Sequence, residues 1–276
     1  MNDNVRTIAV ISCTYFGDSV AHLDRMLSSV FGALLPENYR LNFYLHIDGK
    51  ISDEHMATIS RFPLFKVITS ASSQGLAIGL NKLVDELEGE DYIFRMDADD
   101  VCLRERFINQ IEFMEQNRCV DLLGGGIFEF IGSENNVVNT RNYPRLDLMG
   151  YLEKASPFAH VTICFRNGFF DKFGKYPEQY PLNEDIAYWF QALQNGAIGD
   201  NLNEGLVLVR MDGAYNRRSF SKARSEFKVY RKIAKYRNKI PWYASIRFLF
   251  RLLPPRVVES VYNSTLRTKF LNRIGK

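Results

Sequence analysis

The sequence predicts an α/β fold with a mostly parallel β-sheet flanked by helices, and two observations carry that prediction. Apolar runs rich in Val, Ile, Phe and Tyr, typical of buried strands, recur at 7–14, 41–47, 65–69 and 91–96. Between them, apolar residues repeat at helical spacing over 20–31, 52–61 and 76–87. Because strand and helix alternate along the chain, we expect βαβ units in a doubly wound parallel sheet.

The elements after residue 100 follow a less regular pattern. The sequence predicts a helix over 103–116, a strand interrupted by glycines over 120–132, and later strands over 161–165 and 206–210. It also predicts a helix within 183–196, with Asn183 as N-cap, acidic residues in the first turn and Gly196 after the end.

Length and composition indicate an ordered globular protein. With 276 residues the chain can bury a substantial core in one or two domains. We expect a cytoplasmic chain, because the N-terminus lacks a signal-peptide pattern and no segment approaches the roughly 20 apolar residues that span a bilayer. The four cysteines are widely spaced without a CxxC pair, which predicts buried, reduced thiols: Cys13, Cys102, Cys119 and Cys164.

Charge is distributed unevenly along the chain. The segment 217–276 holds 17 Lys and Arg against two Glu, a net charge of +15, whereas the preceding 18 bases and 30 acids give −12. This basic tail predicts contact with an anionic surface, whether lipid, nucleic acid or protein. It contains two amphipathic helical patterns, 242–253 and 257–266, whose apolar faces either pack on the rest of the protein or meet lipid.

An acidic cluster follows the fourth predicted strand in the stretch YIFRMDADDVCL. Ligands of open α/β sheets bind beyond the carboxyl ends of the strands, where Asp97, Asp99 and Asp100 are expected. Three negative charges this close together repel one another, so a positive partner is expected beside them. A Mg²⁺ ion could be that partner, because Mg²⁺ is usually bound by one or two carboxylates together with the phosphates of a nucleotide. The alternative is that these acids cap the following helix, which would account for Asp100.

Seven motifs give the chain a specific resemblance. They are, in order, CTYFGDSVAHLDRMLSSV, HIDGK, SQGLAIGLNK, FRMDADDVCLRERFINQ, VDLLGG, SPFAHVTICFR and NEDIAYWFQALQNG. The sequence resembles family 2 glycosyltransferases of the GT-A fold, a Rossmann-like fold that binds nucleotide-diphospho-sugars, and it is most similar to bacterial exopolysaccharide and O-antigen transferases of the amylovoran type. The resemblance implies a GT-A catalytic domain at 1–216, with a nucleotide-sugar half at 1–118 and an acceptor half at 119–216, followed by a basic helical extension at 217–276.

The resemblance also implies roles for individual residues on the donor side. Asp99 matches the metal-binding acid of the family's DxD motif, which implies a divalent Mn or Mg ion. Positions implied to bind the nucleotide sugar are Thr14, Tyr15, Asp48, Gly75, Asn81 and Asp97. Without the family, the Asp48-Gly49 pair would predict a turn and Gly75 the start of a helix. No histidine follows His160, so the late histidine ligand of many GT-A enzymes is missing.

On the acceptor side, the family inverts configuration at the sugar carbon, which requires a general base. Asp185 matches that base, with neighbouring Glu184 as its rival. His160 and Trp189 are acceptor-side candidates, with a structural hydrogen-bonding role and a core role as alternatives. Arg217 and Arg218 are candidates for closing over the diphosphate, or are solvated bases.

Together these features predict a cytoplasmic inverting glycosyltransferase, peripheral on the inner membrane. It would transfer a hexose or N-acetylhexosamine from a UDP-sugar to a polyprenyl-diphosphate-linked or other lipid-linked saccharide, with the basic tail on the anionic membrane surface and no nucleic-acid partner. Two alternatives remain at this point: a sugar nucleotidyltransferase, and a non-catalytic protein whose basic tail binds nucleic acid.

Overall fold

The computed structural model of the protein describes residues 5–213 and 220–251. The strands are β1 (Arg6–Thr14), β2 (Tyr39–Asp48), β3 (Lys66–Ser70), β4 (Tyr92–Arg95), β5 (Val101–Cys102), β6 (Leu122–Phe130), β7 (Val137–Arg141), β8 (Cys164–Arg166) and β9 (Gly199–Arg210). The helices are α1 (Val20–Phe31), α2 (Asp53–Ile59), α3 (Leu76–Val84), α4 (Arg106–Gln116), α5 (Leu148–Leu152), α6 (Phe169–Phe173), α7 (Glu184–Gln194), α8 (Phe220–Tyr236) and α9 (Trp242–Arg251). Predictions for Arg217, Arg218 and 257–266 lie outside the described residues.

The strands form a mixed sheet in the order β3-β2-β1-β4-β8-β6-β9-β5, with β7 paired to β6. Its first four strands are parallel, as predicted, and β1 pairs with β2 over its whole length. Strand β8 runs antiparallel to both β4 and β6, while β6 and β9 are parallel. The parallel N-terminal half therefore continues into a second half through one reversed strand.

Helices cover both faces of the sheet because each buries an apolar stripe against it. On one face, the buried side chains of α1 and α4 include Leu23, Met26 and Phe107. On the other face, α3, α7 and α8 contribute Leu80, Trp189 and Val229 to a second cluster. The architecture of a sheet with helices on both faces, expected from the alternating pattern, is confirmed.

Local structure departs from the sequence predictions in three places. Helix α4 begins at Arg106 rather than at residue 103, because Val101–Cys102 first forms a short strand antiparallel to β9. The predicted strand over 161–165 starts only at Cys164, after a 3₁₀ turn at His160–Thr162. All four cysteines are free as predicted, but Cys119 is exposed and Cys13 is only half-buried.

The described part of the C-terminal extension is a helical hairpin. Helix α8 buries Val229 and Ile233 against the same cluster as α7, and Ala244 of α9 joins it. Within 5–213 and 220–251, no helix combines the length and apolar character needed to cross a membrane.

Candidate active site

Three adjacent parallel strands bring polar residues to one rim of the sheet. Strand β1 ends at Thr14 and β2 at Asp48, and β4 ends at Arg95 just before the acidic cluster. Because β1 lies between β2 and β4 in parallel register, these carboxyl ends lie side by side. This is the edge at which ligands of such sheets bind.

The loop after β1 is held by Asp18. Its Oδ2 accepts hydrogen bonds from the Thr14 hydroxyl at 3.0 Å and from the Tyr15 backbone N–H at 3.1 Å. The His55 ring contacts the Asp18 carbonyl at 2.9 Å and ties the loop to α2. Thr14 is buried, whereas the Tyr15 ring is 50% exposed at the rim. Of the two predicted residues, Tyr15 is therefore the one whose side chain is open to a ligand.

Asp48 organises the start of α3. Its carboxylate accepts from the backbone N–H groups of Gln74 at 2.8 Å and Gly75 at 3.0 Å, and from the Ser73 hydroxyl at 2.8 Å. Burial raises the pKa of Asp48, but these hydrogen bonds outweigh it and the pKa is lowered. Gly75 has φ +94°, a conformation that favours glycine, and an added Cβ would meet only open space. The loop thus keeps an ionised carboxylate beside an open position.

Asn81 faces the interior of the protein. Its Oδ1 accepts from the Tyr176 backbone N–H and its Nδ2 donates to the Tyr176 carbonyl, both at 2.9 Å. Nδ2 also donates to Glu178 at 2.9 Å. Asn81 therefore ties the donor-side helix α3 to the segment that leads into α7, and its predicted contact with the nucleotide stays a prediction.

Two arginines contact the acidic cluster, one through an ion pair and the other through backbone groups. The Arg95 guanidinium forms an ion pair with Asp97. On the other side, the Arg210 backbone N–H donates to Asp100 at 2.8 Å, and Arg210 Nε donates to the Asp99 carbonyl at 3.3 Å. Asp100 is thus a buried link to β9 rather than a helix cap, since α4 begins later without a side-chain cap. Burial raises the pKa of Asp100 most strongly, and the negative charges of Asp97 and Asp99 raise it further.

Sequence reasoning missed Arg95. Its side chain is only 2% exposed, and its Nε and Nη1 find no hydrogen-bond partner among the described residues. Buried guanidinium donors without partners are costly, which points to a role at the site. An arginine inside the otherwise apolar strand YIFRM is the sequence signal that could have identified it.

The donor set fits a metal ion that is shared with a substrate. Asp97 and Asp99 are both partly exposed, and hard oxygen ligands of this kind suit Mg²⁺ or Mn²⁺. Residues 5–213 and 220–251 contain no group of three or more His, Cys, Asp and Glu side chains that could hold a metal. Mg²⁺ bound together with a nucleotide is usually held by one or two carboxylates, with phosphates and water as the remaining ligands.

The candidate base lies at the start of α7. Burial raises the pKa of Asp185, while backbone N–H groups and the charges of Lys222 and Arg95 act against that rise. Burial, and then the Asp185 charge, raises the pKa of Glu184 to about 7. Asp185 is partly exposed, whereas Glu184 is buried, with 8% of its surface exposed. Asp185 is therefore the more accessible of the two carboxyl groups. Asn183 precedes the helix as predicted, but its side chain donates to the Lys222 carbonyl at 3.1 Å instead of capping.

The other acceptor-side candidates differ in accessibility. His160 is partly exposed, and its Nε2 contacts the Tyr176 hydroxyl at 3.0 Å. Burial and the Arg95 charge lower the pKa of His160, which favours the neutral ring. Trp189 is fully buried and packs edge-on against Phe158 and His160. Because its ring is inaccessible, Trp189 has the core role that the sequence offered as the alternative to an acceptor-side one.

A parallel half-sheet with an acidic cluster at its rim, joined through a reversed strand to a second half, is the arrangement expected of a GT-A fold. The family model described as Glycosyl transferase family 2 matches residues 9–176, more than half of the sequence. The chain belongs to glycosyl transferase family 2.

Individual relatives agree with that assignment. The chain is 27% identical over 282 residues to UDP-Gal:alpha-D-GlcNAc-diphosphoundecaprenol beta-1,3-galactosyltransferase of Escherichia coli, covering 97% of this chain and 99% of the relative. It is 27% identical to the amylovoran biosynthesis glycosyltransferase AmsE of Erwinia amylovora, covering 92% and 97%. The predicted similarity to transferases of polysaccharide biosynthesis is confirmed.

A solved structure supports the fold. The mannosyltransferase PcManGT from Pyrobaculum calidifontis, in complex with GDP-Man and Mn²⁺, superimposes with a TM-score of 0.61 at 14% identity, covering 97% of this chain and 79% of that protein. At this identity the match shows the GT-A fold alone.

Proposed function

We propose that the chain is an inverting glycosyltransferase that transfers a hexose or N-acetylhexosamine from a UDP-sugar to a saccharide on a polyprenyl diphosphate or similar lipid. One observation carries the proposal: the buried Arg95 interacts with carboxylates of two separate groups. It contacts Asp97 in the acidic cluster, and its charge acts on Asp185 at the start of α7. A carboxylate of the acidic cluster and one at the start of α7 are thus both influenced by the same buried arginine, which suits a reaction that needs a donor-side and an acceptor-side carboxylate.

In the proposed reaction, Asp185 accepts the proton of the acceptor hydroxyl as the new glycosidic bond forms. The bond from the sugar carbon to the diphosphate oxygen breaks on the opposite face, and the nucleoside diphosphate leaves with the bonding electron pair. Tyr15 and the Asp48 loop would hold the base and ribose. A divalent ion held by Asp99, with Asp97 near the ribose, would neutralise charge on the departing diphosphate.

The relatives support the substrate classes. The Escherichia coli relative is named for a UDP-sugar donor and a diphosphoundecaprenol-linked acceptor, and the mannosyltransferase was solved with Mn²⁺. A lipid-linked acceptor would put the protein on the cytoplasmic face of the inner membrane as a peripheral enzyme, with the basic tail at the anionic surface.

The proposal is tested by nucleotide release from UDP- and GDP-sugars with Mn²⁺, with Mg²⁺ and with chelator, in the presence of a saccharide acceptor. We expect one UDP-sugar to turn over only with metal, and Asp99→Ala to abolish that turnover. Asp185→Asn should lower kcat by about 10²–10⁴-fold, the usual contribution of a general base.

Glu184→Gln is the matched control, because it removes the neighbouring carboxylate from the same helix turn. We expect it to retain most of the activity. If it is inactive while Asp185→Asn is active, the base is Glu184. Release of pyrophosphate from a nucleoside triphosphate would instead indicate a nucleotidyltransferase, and salt-sensitive RNA binding without turnover would indicate the nucleic-acid alternative.

A further inference from the structure

The hairpin of α8 and α9 carries a group of large apolar side chains that point into solvent. On α9, Trp242, Ile246 and Leu249 are 53%, 54% and 63% exposed, and their spacing of four and three residues aligns them along one face. Ile240, just before the helix, is 82% exposed. We call these four residues the apolar stripe. Such a contiguous exposed group indicates an interaction site.

Contacts on the opposite side of α9 fix the direction of the stripe. Arg247 donates to the buried Glu226 of α8 at 2.6 Å and to the Lys154 carbonyl at 2.9 Å, and its guanidinium lies 4.7 Å from the centroid of the Tyr230 ring. Phe248 packs on Phe227 at 5.6 Å between ring centroids. Helix α9 is therefore attached to α8 and to the chain after α5, and the stripe is left facing outward.

The exposed face of α8 is basic. Arg224, Lys228, Arg231 and Lys235 are all exposed, at spacings of four, three and four residues, so they form a second line along the same hairpin. The only acid between residues 220 and 249 is Glu226, which is 2% exposed. The outer surface of the hairpin thus combines apolar side chains with positive charge that no exposed acid of the hairpin offsets.

We propose that this outer surface docks on an anionic lipid bilayer, with the apolar stripe entering the interface and the basic line of α8 lying against the headgroups. The inference deepens the proposed function, on which it rests, because a lipid-linked acceptor is reached at a membrane. For the segment 242–253 it gives each face a role: the inner face of α9 packs on the protein, and the outer face meets lipid.

Charge and shape favour a bilayer over another protein copy. A second identical hairpin would place two strongly basic faces together, which costs electrostatic energy, whereas anionic headgroups attract each Lys or Arg near the surface. Amphipathic helices with aromatic and aliphatic residues beside basic residues lie in the membrane interface in this way.

The experiment is flotation of the full-length protein with vesicles of phosphatidylcholine alone and of phosphatidylcholine mixed with phosphatidylglycerol. We expect binding to the mixed vesicles and much less to the neutral ones. The double variant Ile246→Glu/Leu249→Glu should bind the mixed vesicles at least about tenfold more weakly, since it loses buried apolar area and adds charges that the headgroups repel. Lys228→Glu/Arg231→Glu should weaken binding similarly at low salt.

Matched controls exist elsewhere on the surface. Val137 and Val138 on β7 are 45% and 50% exposed, so Val137→Glu/Val138→Glu makes the same chemical change away from the hairpin and should leave flotation unchanged. Arg40→Glu/Arg118→Glu, at two other exposed bases, controls for net charge.

The proposal is overturned if the unchanged protein does not float with anionic vesicles, or if the Ile246→Glu/Leu249→Glu variant floats as well as its control. A dimer in sedimentation that dissociates in that variant, without vesicle binding, would assign the surface to a second copy instead. Nucleotide release with a water-soluble acceptor separates this result from the proposed function. If the unchanged protein releases the nucleotide but does not float with anionic vesicles, only the bilayer surface is rejected. Flotation without any release rejects only the transferase.

Discussion

At the scale of single residues, the charge balance of the candidate site depends on one buried arginine. Arg95 pairs with Asp97, and its positive charge opposes the rise in pKa that burial causes at Asp185 and Glu184. These carboxyl groups lie on separate elements, β4 and its loop on one side and α7 on the other. Arg95 is therefore a positioning residue whose charge favours the ionised form of Asp185.

Replacing this charge should change the pH dependence of the enzyme. In Arg95→Met the pKa of Asp185 rises, because a buried positive charge that favours its ionised form is lost. The base must be deprotonated to act, so the acidic limb of kcat/KM against pH should move to higher pH. Arg95→Lys, which keeps the charge, should leave the limb closer to that of the unchanged protein.

The pH profile distinguishes this role from a structural one. If Arg95→Met merely loosened the fold, activity would fall equally at all pH values, with no displacement of the limb. Thermal unfolding curves show whether each variant is folded at the assay temperature, and only folded variants are compared.

At the scale of elements, α3 lies unusually close to the sheet. A Cβ added at Gly79 would be 2.5 Å from His46 Nδ1 and 2.9 Å from Cys13 Sγ, so the absence of a side chain lets the helix rest on β1 and β2. The same helix begins at the Asp48 loop and holds Tyr176 through Asn81. Its position therefore couples the donor-side loop to the segment before α7.

Gly79→Ala should disturb that contact. Overpacking a close-packed interior costs about 1–3 kcal/mol, and better helix propensity returns roughly 0.5–1 kcal/mol, so we expect a net loss of about 1–2 kcal/mol in the free energy of unfolding. Urea unfolding measures it, with exposed Ser28→Ala on α1 as the control. Unchanged stability would mean that α3 can shift outward at no cost.

The same scale shows which elements local pattern can predict. Helix α1 was predicted with its observed bounds, and the four parallel strands were predicted to within two residues, because their patterns repeat over many residues. Strand β5 was missed and α4 was predicted to start too early. A two-residue strand carries no periodic signal and exists only through its pairing with β9.

At the scale of the whole molecule, a buried ion pair joins the two helices of the C-terminal hairpin, and further ion pairs join the hairpin to the chain after α5. Glu226 and Arg247 are 2.6 Å apart, with the Glu226 side chain 2% exposed, while Glu153 after α5 binds Arg237 and Lys239 at 2.6 and 2.7 Å. These contacts hold the two helices in one arrangement, which the proposed membrane surface requires.

Breaking the buried pair should cost far more than breaking a surface pair. Glu226→Ala leaves the Arg247 guanidinium without its carboxylate in a half-buried position, so we expect a loss of about 3–5 kcal/mol in the free energy of unfolding. Asp24→Ala removes the partner of Arg61 in a pair with side chains 60% and 38% exposed, and should cost about 1 kcal/mol or less. Equal effects on urea unfolding would show that the hairpin is not held by this pair.

The sequence by itself determined the alternation of strands and helices and the rim of the sheet where Thr14, Asp48 and Asp97 lie. It also determined the glycosyltransferase family. Periodicity and ordered motifs are local properties of the chain, so they can be read without the tertiary structure. Only the tertiary structure showed that Asp100 binds β9, that Trp189 is buried, that Arg95 is the counter-charge of the acids, and which face of α9 is open. Each of these depends on contacts between residues distant in sequence, where burial and partners are set by packing of whole elements and leave no periodic trace.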